Sequence, residues 1–219
     1  MRFQALILDH DDTAVNSTAH VHYPAHLRAM AAMRPGHPTV DLETWFLKNF
    51  DPGIMGFLQD ELGMDARELA LEEEIWREGM ASATPRFFDG FLDALAGFRA
   101  RGGHVAVASH SDPEVIRRHY RDAGLALEPE LVFGWDADPA LRKPSPYPVM
   151  EVMRRLGLAP GGVLVVDDLK PGVVMAEAAG VAVAAAGWAH AIPGIRAFME
   201  AHCVAYFERV SEFAAFILD

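Results

Sequence analysis

The nine residues Ala5–Thr13, ALILDHDDT, join a short apolar run to a polar cluster and indicate the fold class of this chain. The first four are apolar without polar alternation, which is typical of a parallel strand that is covered on both faces. Three aspartates and a threonine lie among the next five residues. Because ligands bind at the carboxyl ends of the strands in an open parallel sheet, we predict a polar site directly after the strand Ala5–Leu8.

Further short apolar runs predict more strands of the same kind. Three are clear and a fourth is weaker: Val105–Ala108, Val163–Val166, Val181–Ala185 and, less distinctly, Glu130–Phe133. Helical patterns that end at or next to glycines alternate with them, at Phe91–Arg101, Pro113–Gly124, Tyr147–Leu156 and Gly172–Ala179. The Pro113–Gly124 helix follows Ser111 and Asp112, both of which are good N-cap types. The alternation predicts a doubly wound, Rossmann-like α/β parallel sheet.

One segment, residues 15–85, breaks the alternation. It contains no convincing strand pattern, and Pro-Gly pairs and a single glycine separate its helical patterns. These patterns are Ala25–Met33, Leu42–Phe50, Ile54–Leu62 and Ala66–Met80. We therefore predict an α/β core domain from residues 1–14 and 86–219, with an inserted all-helical cap domain at 15–85.

Composition and charge narrow the classes of partner. The chain has 219 residues, 19 of them basic and 31 acidic, for a net charge of −12. Such a chain is poorly suited to binding nucleic acid or an anionic membrane, but a local cation would still allow a small phosphorylated substrate. No apolar run reaches the roughly 18 residues of a membrane span. The amino-terminal apolar run is too short for a signal peptide.

Cys203 is the single cysteine, so an intramolecular disulfide is impossible, which fits a reducing compartment. We expect a cytoplasmic protein that binds neither nucleic acid nor membrane. Both a monomer and a homodimer remain open.

Polar residues also follow the other predicted strands. Ser109 and His110 follow Val105–Ala108, and Asp167 and Asp168 follow Val163–Val166, while Lys143 lies in the connection before that strand. Together with the aspartates at 9, 11 and 12, up to five carboxylates would converge on one crevice. Carboxylates at such range repel one another unless some bind protons or a cation. Magnesium prefers oxygen ligands, so a Mg²⁺ site is predicted.

The order of these residues resembles the motifs of the haloacid dehalogenase-like superfamily. Asp9-His10-Asp11-Asp12-Thr13 resembles its first motif, and Ser109 its second. Lys143 resembles the third motif and Asp167-Asp168 the fourth, with a glycine following at Gly172. The helical insert falls where the family carries its helical type of cap, and Phe88–Phe91 resembles the family's phosphoglycolate-phosphatase-like members.

The resemblance implies a role for each matched residue. Asp9 would be the nucleophile and a magnesium ligand, and Asp11 the general acid and base, with its backbone carbonyl on the metal. Ser109 and Lys143 would hold phosphate oxygens. Asp168 would bind magnesium, and Asp167 would support the metal directly or through water.

Two positions depart from the family pattern. The family often has glycine at the position of Asp12 and asparagine or a similar residue at that of His110. His110 would contact the phosphate or the substrate.

The predicted function is magnesium-dependent hydrolysis of a small phosphomonoester through an aspartyl-phosphate on Asp9, with the cap closing over the substrate. Phosphosugar mutation, 2-haloacid dehalogenation and a catalytically weak phosphate- or metal-binding module are the alternatives. Two weaker hypotheses concern the cap. His20, His22 and His26 have a spacing that would suit zinc, and Lys48 could form a Schiff base.

Overall fold

The computed structural model describes residues 2–123 and 128–219. Two compact units are present, one formed by Met1–Asn16 with Arg86–Asp219 and the other by Ser17–Pro85. The predicted boundary after residue 14 lies two residues too early. Val15–Asn16 pairs with Arg86–Phe87 in an antiparallel ladder that belongs to the larger unit. A ladder of two-residue strands leaves almost no periodicity in the sequence, so it could not be predicted.

The described part of the larger unit contains the following strands, labelled in chain order: β1 Ala5–Leu8, β2 Val15–Asn16, β3 Arg86–Phe87, β4 His104–Ala108, β5 Leu131–Phe133, β6 Val163–Asp167, β7 Ala182–Ala186 and β8 Ala205–Phe207. Six of them form a sheet in the order β5-β4-β1-β6-β7-β8 in which every pair is parallel. The predicted fold class is confirmed, and each predicted strand is present to within one residue at either end.

Helices alternate with the strands of the large sheet, and the last helix follows the last strand. They are α5 Phe91–Ala100, α6 Pro113–Asp122, α7 Tyr147–Leu156, α8 Lys170–Ala179, α9 Pro193–His202 and α10 Val210–Leu218. α8 begins two residues before the predicted start, and the predicted end of α6 at Gly124 lies outside the described residues. The sequence patterns did not predict β8, α9 or α10.

The strand order determines where a ligand site can form. β1 lies between β4 and β6, and Leu8 is in register with Val107 on one side and Val166 on the other. The chain runs outward to β5 on one side of β1 and then returns to continue at β6. This reversal is the position at which open α/β sheets bind ligands, beyond the carboxyl ends of the strands.

A hydrophobic core anchors the sheet. Leu6 and Leu8 of β1 are fully buried with Phe91 and Phe98 of α5 and Phe213 of α10. Burying a side chain of this size contributes roughly 1.5–3 kcal/mol, so the strand that carries the polar loop is held firmly.

The smaller unit is helical. Its helices are α1 Tyr23–Met33, α2 Leu42–Phe50, α3 Ile54–Gly56, which continues as a wider turn Phe57–Glu61, and α4 Ala66–Ser82. Trp45, Phe57 and Met30 form the centre of its own hydrophobic core. An Asp65–Glu68 capping box starts α4, and the Asp41 side chain caps α2. Across residues 2–123 and 128–219, no helix has the length and apolar character needed to cross a membrane.

Candidate active site

The loop after β1 is a tight turn that projects Asp9 and Asp11 from the sheet. The Asp9 N–H donates to the Val166 carbonyl at 2.8 Å, which extends the parallel ladder by one residue. Asp12 adopts a left-handed conformation with φ 57°, and its N–H donates to the Val15 carbonyl at 2.7 Å. Glycine, asparagine and aspartate tolerate this region best. The departure from glycine at Asp12 therefore preserves the turn.

A buried ammonium group joins two of the predicted site residues. Lys143 Nζ lies 2.8 Å from Asp9 Oδ1 and 2.8 Å from Asp167 Oδ2. All three side chains are less than a tenth exposed. The two carboxylates keep the pKa of Lys143 well above its usual value despite burial. Burial raises the pKa of Asp9 to about 6, against the lowering effect of Lys143 and with a further rise from the charges of Asp167 and Asp11.

Asp9, Asp167 and Asp168 form a compact group of carboxylates. One oxygen from each residue lies within 4.8 Å of the others. Burial raises the pKa of both Asp167 and Asp168, and the charge of Asp9 adds to the rise at Asp168. A divalent cation would remove this repulsion, and an all-oxygen donor set is the kind that Mg²⁺ accepts. These residues therefore fit a magnesium ion.

The two adjacent aspartates differ in their contacts. Asp167 Oδ2 accepts from Lys143, and its Oδ1 accepts the Leu169 N–H at 2.9 Å, so both oxygens are engaged. Asp168 Oδ1 accepts from Thr13 Oγ1 at a long 3.4 Å. Asp168 Oδ2 lies 3.2 Å from His190 Nε2, so both contacts of Asp168 are longer than those of Asp167. The longer contacts support Asp168 as the metal ligand and Asp167 as its support, which remains a prediction.

Asp11 lies against the loop after β4. Ser111 Oγ donates to Asp11 Oδ2, and Ser109 Oγ lies 3.4 Å from the same oxygen. Ser111 and Asp112 were both predicted as N-cap types, and Asp112 forms the cap, because its side chain accepts from two N–H groups of α6. Ser111 is thus a site residue that the sequence reasoning missed, although its position two residues after Ser109 could have indicated it.

His110 contacts the backbone of the Lys143 loop. Its Nε2 lies 2.6 Å from the Lys143 carbonyl oxygen, so the ring donates there. Burial lowers the pKa of His110 to about 4, and the charge of Lys143 adds to this effect. The neutral ring therefore helps to position Lys143. The predicted contact of His110 with substrate stays a prediction.

The loop after β7 contributes two residues that the sequence analysis did not select. His190 Nε2 lies 3.2 Å from Asp168 Oδ2, and Trp188 Nε1 donates to the Thr13 carbonyl at 3.1 Å. Both follow a correctly predicted strand. The rule that polar residues after strand ends form the site would have indicated His190 if it had been applied to this strand, but it does not select a tryptophan.

The cap histidines do not form the zinc site that their spacing suggested. His22 Nδ1 accepts from Trp76 Nε1 at 3.0 Å, and His26 Nδ1 lies 2.8 Å from Glu72 Oε1 in the cap core. Within the described ranges, Asp9, Asp167 and Asp168 are the one cluster with metal-binding side chains in range of each other. Lys48 is ion-paired with Glu61 at 2.5 Å.

Gly172 of α8 provides a first prediction. A Cβ at this position would lie 2.1 Å from Asp167 Oδ2. Lys143 donates to this oxygen and the Leu169 N–H donates to Oδ1, so the carboxylate is held in place. Gly172→Ala is expected to destabilise the protein by about 1–3 kcal/mol and to lower turnover, because Asp167 must shift. Urea unfolding checks this, with Gly161→Ala as the control, since nothing lies within 4 Å of a Cβ there. Equal stability of the two variants would contradict the prediction.

Comparisons with known proteins agree with this geometry. The family model of the haloacid dehalogenase-like hydrolases matches residues 3–180. The chain therefore belongs to the haloacid dehalogenase-like hydrolase family, as its motifs predicted. The prediction of an enzyme is confirmed at the level of a hydrolase of this family.

Individual relatives are more distant. The chain is 25% identical over 183 residues to a phosphoglycolate phosphatase of Thiobacillus denitrificans, a match that covers 81% of this chain and 80% of the relative. The fold is similar to that of a haloacid dehalogenase-like family hydrolase from Streptococcus pneumoniae, with a TM-score of 0.77, 15% identity and 98% of each chain covered. It is also similar to CbbY from Rhodobacter sphaeroides in complex with phosphate, with a TM-score of 0.70, 18% identity and 96% of each chain covered.

Proposed function

We propose that this enzyme hydrolyses a small phosphomonoester in a magnesium-dependent reaction that passes through an aspartyl-phosphate on Asp9. The observation that carries the proposal is the buried Lys143 ammonium, 2.8 Å from Asp9 Oδ1, beside the carboxylates of Asp167 and Asp168. Phosphoryl transfer depends mainly on positioning and on charge neutralisation. A buried cation next to a nucleophilic carboxylate supplies both.

The chemistry divides between two aspartates. Asp9 Oδ attacks phosphorus, the bond from phosphorus to the ester oxygen breaks, and Asp11 gives its proton to the departing alkoxide. Asp11 then takes a proton from the water that attacks the phosphoaspartate, and inorganic phosphate leaves. The hydrogen bond from Ser111 orients the Asp11 carboxyl group for both transfers.

The remaining groups neutralise the charge of the phosphate and position it. A bound Mg²⁺, held by Asp9, Asp168 and the Asp11 carbonyl, would neutralise phosphate charge and the clustered carboxylates. Lys143 and Ser109 would bind phosphate oxygens, and Asp167 keeps Lys143 in place through its 2.8 Å contact. The ionised form of Asp9 is the nucleophile, and Lys143 favours that form by lowering its pKa.

The expected substrate is a small metabolite phosphate, and 2-phosphoglycolate is the first compound to test because the Thiobacillus relative is a phosphoglycolate phosphatase. The Asp11 contact with two serines supports acid–base catalysis on an ester oxygen over dehalogenation. Phosphosugar mutation would use the same core residues, so product analysis must separate it from hydrolysis. A cytoplasmic location is proposed because the chain has a single cysteine and so cannot form an intramolecular disulfide, which fits a reducing compartment.

The proposal predicts magnesium-dependent release of phosphate. Purified protein should hydrolyse an aryl phosphate and at least one of a panel of small phosphate esters, with kcat of roughly 1–10³ s⁻¹ on the best of them. Activity should disappear with chelator and return with added Mg²⁺. Phosphate release is measured directly, with sugar phosphates analysed for isomerisation and 2-haloacids for halide. Isomerisation without phosphate release, or halide release in chelator, would contradict the proposal.

A further inference from the structure

His190 lies beside the proposed metal site without being one of its predicted residues. It belongs to the loop between β7 and α9, and its side chain is 9% exposed. Its Nε2 lies 3.2 Å from Asp168 Oδ2, while the other carboxylate oxygen faces Thr13 Oγ1 at 3.4 Å. Both oxygens of Asp168 thus have a partner, one from the loop after β1 and one from the loop after β7.

The direction of the His190 contact follows from the chemistry of a metal ligand. Asp168 must be ionised to bind a cation, and an ionised carboxylate only accepts hydrogen bonds. His190 must therefore donate from Nε2.

The loop has a separate anchor, so His190 is not needed to hold it in place. Trp188 donates to the Thr13 carbonyl at 3.1 Å. Its ring packs against the buried rings of Phe91 and Phe213, at centroid distances of 6.4 and 5.6 Å. The imidazole two residues later contacts the charged oxygen of Asp168. A histidine that only filled space would not need to place Nε2 within hydrogen-bonding distance of Asp168 Oδ2.

We propose that His190 is a positioning residue that orients Asp168 for divalent-cation binding by donating Nε2–H to Asp168 Oδ2. This inference rests on the proposed function, since that function makes Asp168 a magnesium ligand. Hydrogen-bonding partners of metal ligands commonly change metal affinity by about 10- to 100-fold. The hydrogen bond restricts rotation of the Asp168 side chain before the cation binds. Binding therefore costs less conformational entropy.

The test measures magnesium affinity directly, without turnover. Isothermal titration calorimetry on metal-free protein gives the Kd for Mg²⁺ of the wild type and of His190→Gln, His190→Asn and His190→Leu. The glutamine amide nitrogen reaches the position of the imidazole Nε2, whereas asparagine is too short and leucine has no donor. We expect Kd to rise about 10- to 100-fold for leucine and asparagine and to stay within about threefold of wild type for glutamine.

A matched control separates positioning from general damage. His202→Leu alters a histidine that is 42% exposed and pairs with Glu177, so its magnesium Kd should equal that of wild type. Should His190→Leu fail to fold, the comparison of glutamine with asparagine decides the question. Equal Kd values for these two variants, or for leucine and wild type, would overturn the inference alone. A wild-type protein that binds no Mg²⁺ would overturn the inference and the proposed function together.

Discussion

Asp9→Asn is expected to reduce phosphate release by about 10⁴-fold or more while leaving the protein folded. The amide oxygen is a poor nucleophile, and no aspartyl-phosphate can form on it. Asparagine has nearly the same volume, and Lys143 keeps its 2.8 Å contact with Asp167. Removing one of three crowded carboxylates also reduces their repulsion, so the free energy of unfolding should not fall appreciably.

The measurement is a single-turnover assay of phosphate release with saturating Mg²⁺, together with circular dichroism of the variant. Asp89→Asn is the matched control, because Asp89 pairs with Arg86 on the surface and its side chain is 87% exposed. A residual rate above about one hundredth of wild type would exclude Asp9 as the nucleophile, since removal of a covalent nucleophile costs far more than that.

Lys143→Met is expected to lower both stability and turnover. Its removal leaves Asp9 and Asp167 buried beside each other without a counter-charge, and breaking a buried pair in this way costs about 3–5 kcal/mol. Loss of one group that stabilises phosphate charge lowers kcat by about 10²- to 10³-fold. Urea unfolding in chelator and phosphate release with Mg²⁺ measure the two effects.

The stability loss in Lys143→Met should depend on pH in a defined direction. The pKa of Asp9 is already raised from 3.8 to about 6, and removal of the ammonium raises it further. A carboxyl group with a raised pKa in the folded state stabilises the protein at low pH, and this contribution is lost as pH rises through the folded-state pKa. The variant should therefore lose less stability at pH 5 than at pH 8.

Lys48→Met is the matched control for the lysine substitution. Lys48 and Glu61 form a partly exposed ion pair in the helical unit, with side chains 28% and 39% exposed. Pairs of this kind contribute about 0–1 kcal/mol. A loss of stability in Lys143→Met no larger than in Lys48→Met would show that the buried pairing with Asp9 and Asp167 has little energetic importance. Unchanged turnover in Lys48→Met would also argue against Schiff-base chemistry.

The sequence by itself determined the α/β class, the strands of the sheet centre and the residues at their carboxyl ends. Strands such as Ala5–Leu8 and Val163–Asp167 are covered on both faces, so nearly every residue in them must be apolar. Such short apolar runs can be recognised in the sequence without knowing the rest of the fold. Asp9 and Asp168 could be predicted to share one site because parallel strands end at the same edge, whereas Lys143 was added from its resemblance to the family's third motif. β8 was missed because it is an edge strand of only three residues, two of which are partly buried. A segment this short shows no clear apolar pattern.

Only the tertiary structure decided which side chains complete that site. The contacts of Ser111 with Asp11 and of His190 with Asp168 join residues that are 100 and 22 positions apart. They depend on the strand order and on the path of each loop, neither of which leaves a periodic trace in the sequence. The left-handed backbone at Asp12 likewise follows from the turn that returns the chain to Val15. Local sequence patterns reflect which residues are buried. Hydrogen bonds between distant loops form only when the sheet brings the strand ends that carry those loops together.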